Sequence, residues 1–197
     1  MKRISIALLP LTGNRGSRQW PGIFAHASVA ICLLALFTDA VASDSLSHSR
    51  VTSTGIGSVL FGMTPKQAER ASGVVLKEWA EGPNGDDRCF YMIAEHGLKG
   101  AAFMIASGSI ARLDIKSRNI RTSHGLGVGS TEAQIRRAFG DRVTIQSHHY
   151  EGDRGWHYLE VIDPGGSTGL LFETDGNRVL SYRAGRLPEL RYIEGCL

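Results

Sequence analysis

Two stretches decide the fold: Val59-Leu60-Phe61-Gly62-Met63-Thr64-Pro65-Lys66-Gln67-Ala68-Glu69-Arg70-Ala71-Ser72-Gly73 and Leu126-Gly127-Val128-Gly129-Ser130-Thr131-Glu132-Ala133-Gln134-Ile135-Arg136-Arg137-Ala138-Phe139-Gly140. At a shift of 67 positions, Gly62, Thr64, Gln67, Arg70, Ala71 and Gly73 meet Gly129, Thr131, Gln134, Arg137, Ala138 and Gly140. The matches share one physical role. Thr64 and Thr131 suit the N-cap of a helix, and glutamine three positions on completes a capping box. Pro65 and Glu132 fall at the first helical position, where a missing N–H costs nothing and a negative charge meets the positive end of the helix. Gly73 and Gly140 stand where a left-handed residue ends it. Each stretch predicts a helix of about two turns, too short to stand without tertiary packing.

The chain after each helix is rich in β-branched and aromatic residues. The first set of predicted strands is 74–79, 89–95, 100–106 and 109–116, and the second is 142–147, 156–162, 169–174 and 177–184. Ser107-Gly108 and Asp175-Gly176 sit at corresponding hairpin turns, and Asp163-Pro164-Gly165-Gly166 marks another. The expected fold class is α+β: two tandem repeats, each a short helix followed by about four antiparallel strands, with helices packed on one face of the sheet. Repeat 1 is placed at 55–122 and repeat 2 at 123–197, after a linker at 43–54. The second sheet face is then left for water or a partner.

The Phe61-Gly62-Met63-Thr64 opening, with Ala68 and Gly73 downstream, resembles the repeat of small bacterial envelope proteins of the SmpA/OmlA (BamE-like) group. Two copies in an exported chain are similar to the tandem-repeat β-lactamase inhibitory proteins. The resemblance covers roughly residues 55–197. It implies an α+β fold whose sheet is a protein-binding surface.

Residues 1–42 have the form of an export signal: Lys2, Arg3, Arg15 and Arg18 lead, Val29–Phe37 form a short apolar core, and Ala40-Val41-Ala42 offers a small-x-small cleavage site. The segment is either cleaved near Ala42 or retained as an anchor. The BamE-like proteins are lipoproteins, but Ile31 precedes Cys32 where a lipobox needs a small residue, so lipidation is not expected. The whole chain of 197 residues carries a formal charge of +3. Taking the four leader cations from its 22 basic residues, and Asp39 from its 19 acidic ones, leaves 18 of each. That balance excludes nucleic acid as a partner, because phosphate binding draws on surplus Lys and Arg. The expected location is periplasmic or secreted, with no stable membrane insertion after cleavage.

Cys89 and Cys196 remain after the leader is removed, and an even pair in an exported chain reads as a disulfide. The alternative is two unpaired buried thiols.

Few residues offer chemistry. His148, His149 and His157, with Glu151 and Asp153 nearby, are the densest cluster of metal donors, yet neighbouring histidines in a strand point to opposite faces. The favoured reading is a polar loop between strands, with a metal site as the alternative. There is no G-x-S-x-G elbow, and Gly125-Leu126-Gly127-Val128-Gly129 lacks a Walker lysine. The chain is therefore not expected to be an enzyme or to hold a cofactor. Alternation along 156–161 puts Trp156, Tyr158 and Glu160 on one face and His157, Leu159 and Val161 on the other. If Leu159 and Val161 face the helices, Trp156 and Tyr158, with Tyr150 close by, form either a recognition surface or part of the core. Arg183, Arg186 and Arg191, with Glu189 and Glu194, read as a solvated tail around a short final strand at 190–193. These features point to a monomeric, exported, non-catalytic protein-binding module, acting as an inhibitor or an assembly factor. The alternative is a periplasmic protein that binds a small ligand or a metal.

Overall fold

The computed structural model describes residues 46–82, 85 and 88–196. The expected export signal and the first residues of the linker lie outside the described residues. Both capping boxes form. In α1 (Pro65–Ser72) the Thr64 hydroxyl accepts from the Gln67 amide at 3.3 Å, and the Gln67 side chain accepts from the Thr64 amide at 2.8 Å. In α2 (Glu132–Phe139) Thr131 and Gln134 repeat the exchange at 3.2 and 2.8 Å. Gly73 ends α1 in the left-handed region as expected, with φ 68° and ψ 8°. Gly140 departs from the expectation: at φ 58° and ψ −135° it passes the chain into a 3-10 turn at Gly140–Arg142, through backbone space that side chains disfavour.

The expected α+β tandem-repeat fold is corrected. The described residues are mostly antiparallel β: eleven strands in two sheets, beside two helices of eight residues each. Three strands of two residues, β1 (Val51–Thr52), β2 (Gly55–Ile56) and β3 (Val59–Leu60), make a small sheet outside the predicted strands. Such short strands carry no alternation to read. Close approach enforces them: a Cβ on Gly55 would lie 2.1 Å from the Val59 carbonyl oxygen, so only glycine fits there.

The larger sheet contains β4 (Leu76–Glu78), β5 (Cys89–Ala94), β6 (Ala101–Ala106), β7 (Ser109–Ile115), β8 (Val143–Ser147), β9 (His157–Ile162), β10 (Thr168–Thr174) and β11 (Val179–Arg186). Their order is β4-β5-β6-β7-β11-β10-β9-β8, and every neighbouring pair is antiparallel. β7 and β11 join in the middle, with Leu113 opposite Ala184 and Ile115 opposite Tyr182. The tight β6–β7 turn places both Ser107 and Gly108 at positive φ.

One face of this sheet carries the main core. Phe103, Ile105, Leu113, Ile115, Leu159, Val161, Phe172 and Ala184 pack there against Ala68 of α1 and Ile135 and Phe139 of α2. The opposite face is not left open. Residues 187–196 cross it, and Leu190 is fully buried against Tyr158 and Leu171. The expected final strand at 190–193 is instead a 3-10 turn at Glu189–Arg191 followed by an irregular run. Cys89 and Cys196 form a disulfide across 107 positions and tie that run to β5. Among the described residues, no helix is long and apolar enough to cross a membrane.

Candidate functional site

The second face of the sheet is polar at its centre because alternation puts charged residues inside hydrophobic strands. In β7, Leu113 and Ile115 turn toward the main core, so Arg112 and Asp114 turn the other way. Arg112 is 2% exposed, and its partners account for that burial. Its Nε donates to Asp114 at 3.0 Å, Nη2 to the Tyr91 hydroxyl at 2.6 Å, and Nη1 to the carbonyls of Glu189 and Tyr192 at 2.6 and 2.8 Å. The Tyr91 hydroxyl donates onward to Asp114 at 2.8 Å. Burial, reinforced by the Asp114 charge, pushes the Tyr91 phenol well above its ordinary value. Arg112 is thus the internal post to which the crossing segment is fastened.

The expectation of a solvated arginine-rich tail agrees with the exposure of Arg191 and Glu194 and is corrected for Arg183. Arg183 lies in β11, is buried, donates to the Tyr192 carbonyl at 2.9 Å, and stands 5.8 Å over the Tyr158 ring. Burial and the neighbouring Arg112 charge lower it from the ordinary arginine value. Arg191 pairs with the Glu160 carboxylate. The sequence signal for these roles is charge at alternate positions within apolar runs: Arg112 and Asp114 in β7, and Glu160 in β9.

Crossing the face creates two concavities that share Ile193, Glu194 and Gly195 as a wall. On one side lies an open groove of about 570 Å³ with Cys89, His149, Tyr150 and Tyr192 around it. Its rim exposes apolar area: Tyr150 is 60% exposed, Tyr192 42% and Ile193 41%. The Tyr150 hydroxyl donates to the Glu194 carboxylate, which raises the phenol above its ordinary value. On the other side lies a cleft of about 480 Å³ floored by Tyr91, Ala102, Arg112, Asp114, Glu173 and Arg183.

The three aromatics that the sequence singles out therefore divide. Tyr150 is exposed at the groove. Trp156 is half-buried, edge-on to His148 at 5.6 Å. Tyr158 is on the face opposite Leu159 and Val161, as alternation requires, but it is buried beneath Leu190, and burial raises its phenol.

The histidines also part company. His148 Nδ1 accepts from the amides of Tyr150 and Glu151 at 3.2 and 3.1 Å, which puts the ring proton on Nε2, where it meets Glu173 at 3.2 Å. His157 is on the main-core face and its Nδ1 donates to Glu132 at 2.8 Å. His149 is exposed beside the groove. Among the described residues, no group of three or more His, Cys, Asp or Glu side chains is placed to hold a metal ion.

Glu132 shows how the two helix starts differ. It accepts from the Thr174 hydroxyl at 2.5 Å as well as from His157, with Arg136 at 3.5 Å. Burial works to raise its carboxyl, but the hydrogen bonds from Thr174 and His157 outweigh burial and hold it below its ordinary value. The pair anchors α2 to β9 and β10.

Comparison with known proteins returns no match to a family model, to a curated protein or to a solved structure, so the resemblance to BamE-like and inhibitory proteins rests on the sequence motifs alone.

Proposed function

We propose that this chain is an exported, non-catalytic protein-binding module whose contact surface is the groove beside the C-terminal segment. The observation that carries this reading is the rim itself: Tyr150, Tyr192 and Ile193 are all exposed around one concavity. Tyrosines that bury area while keeping a polar handle are enriched at binding hot spots. The rim is also pre-organised, since the Cys89–Cys196 disulfide and Arg112 fix the segment that carries it. A surface ordered in advance loses less entropy when a partner docks. The disulfide supports an oxidising location, periplasmic or secreted. The non-catalytic part of the reading is supported by how the buried and half-buried carboxylates are used. Asp114, Glu132 and Glu160 are each held by structural partners within the fold.

The test is capture from envelope and culture fractions with the oxidised protein as bait. Tyr150→Ala/Tyr192→Ala and Val75→Ser baits, both checked for folding, run in parallel. Val75 is an equally exposed apolar side chain outside the groove. A partner retained by Val75→Ser and lost by the double variant supports the proposal. A partner that survives the double variant, or no specific partner at all, overturns it.

A further inference from the structure

The cleft on the other side of the shared wall presents two buried arginines in unequal states. Arg112 has acceptors for Nε, Nη1 and Nη2. Arg183, 8% exposed, donates once, from Nη1 to the Tyr192 carbonyl, and its other guanidinium N–H groups have no acceptor among the described residues. An arginine keeps its proton, so spare donors in a confined space await an acceptor. These donors are not sealed in the core. The fully buried side-chain N and O atoms without a partner among the described residues are Ser58 Oγ and Arg186 Nε, so the spare nitrogens of Arg183 open on the cleft that it lines.

The surroundings define what acceptor fits. Asp114 and Glu173 share the floor, but Asp114 is held by Arg112 and Tyr91, and Glu173 by His148 and Ser181. Two guanidiniums and two carboxylates make a floor with no net charge. With Lys116 at the margin balanced by Glu194 in the shared wall, the charges of the whole lining cancel as well, so a ligand carrying one negative charge, met by the spare donors of Arg183, disturbs this balance less than one carrying two. That favours a monocarboxylate over a phosphate or a dicarboxylate. Trp79, Ile93, Ala102 and Leu171 supply apolar surface around the charged floor. A mostly apolar hollow with a few convergent polar groups is the usual form of a small-molecule site.

We propose that this cleft binds a small monocarboxylate with an apolar body, its carboxylate received by the spare N–H groups of Arg183. Carboxylate and guanidinium meet in a fork geometry that gives orientation as well as affinity. The cleft shares the wall of Ile193, Glu194 and Gly195 with the protein-binding groove, but this proposal does not rest on that groove, because occupancy of the cleft is read on purified protein alone.

The test is calorimetric titration of the oxidised protein with 3-phenylpropionate and with its uncharged isostere 3-phenylpropanamide. The acid is expected to bind at one site, about tenfold or more tighter than the amide, because only the acid offers a charge-assisted pair. Arg183→Met should abolish that preference. Ala102→Leu, which fills the cleft and leaves Arg183 in place, should abolish saturable binding of the acid. If Arg183→Met fails to fold, the acid-over-amide preference of the wild-type protein and the Ala102→Leu titration decide. Equal affinity for acid and amide, undiminished binding by Ala102→Leu, or no saturable binding of the acid up to about 10 mM overturns the proposal.

Discussion

Arg191 and Glu160 form a fork: Nε reaches Oε1 at 2.7 Å and Nη2 reaches Oε2 at 2.8 Å, so a residue of the crossing segment grips a carboxylate in the middle of β9. Glu160 is 4% exposed while Arg191 is 55% exposed. The arginine covers the carboxylate and excludes most of the water that would otherwise solvate it. Deleting it leaves a buried charge without its partner, and the cost is that desolvation rather than the worth of a surface pair. Arg191→Ala should lose about 1–3 kcal/mol in urea unfolding, and Arg191→Ala/Glu160→Gln should recover part of it. A single variant as stable as the wild type would show that water replaces the guanidinium freely.

The disulfide should matter more. It closes a loop of 107 positions, and the chain-entropy model gives up to about 4.7 kcal/mol for a loop of that order. Cys89→Ser/Cys196→Ser is expected to lower the unfolding free energy by about 2–4 kcal/mol. Amide exchange should rise first in residues 189–195, with β6 and β7 still protected. Uniform acceleration across the sheet would instead make the crossing segment integral to the whole fold.

Acid should act through Glu132. Its folded carboxyl lies below the ordinary value of 4.5, so the stability it contributes is present above that value and is lost as pH falls through the folded one. Glu132→Gln should therefore be less stable than the wild type at neutral pH and show a shallower loss on acidification below about pH 4.5. Parallel stability curves for the two proteins would contradict this assignment. Chemical denaturation at a series of pH values checks it.

The two helices offer a matched pair of variants. Thr64→Ala and Thr131→Ala each remove the hydroxyl that accepts from the third helical amide. Each should cost about 1 kcal/mol by thermal or urea unfolding. A loss near zero for either would mean that water caps that helix as well as threonine does.

The helix starts are legible in the sequence because a capping box is local: Thr64 with Gln67, and Thr131 with Gln134, need no distant partner. The Cys89–Cys196 link is legible by count and compartment, and the facing of Leu159 and Val161 by period-two alternation. Other features depend on contacts far apart in the chain. The strand pairs within 51–60 are held by close backbone approach at Gly55, which composition does not announce. The 3-10 turn at Glu189–Arg191 replaces an expected strand because Leu190 is drawn into a pocket of Tyr158 and Leu171, while Arg112 takes the carbonyls that would have paired in a ladder. Of the candidate site, Tyr150 is legible. Tyr192 and Ile193 read from sequence as part of a terminal strand, and the buried roles of Arg112 and Arg183 emerge only once that segment is laid across the sheet.

Recognition of a partner through the groove beside this disulfide-tied segment is tested most directly by site-specific photocrosslinking. Benzoylphenylalanine is placed in turn at Tyr150, Tyr192 and Val75 of the oxidised protein in its native fractions. One adduct shared by positions 150 and 192, with none from position 75, is the expected result. An adduct from position 75 alone, or none from the groove positions, would contradict it.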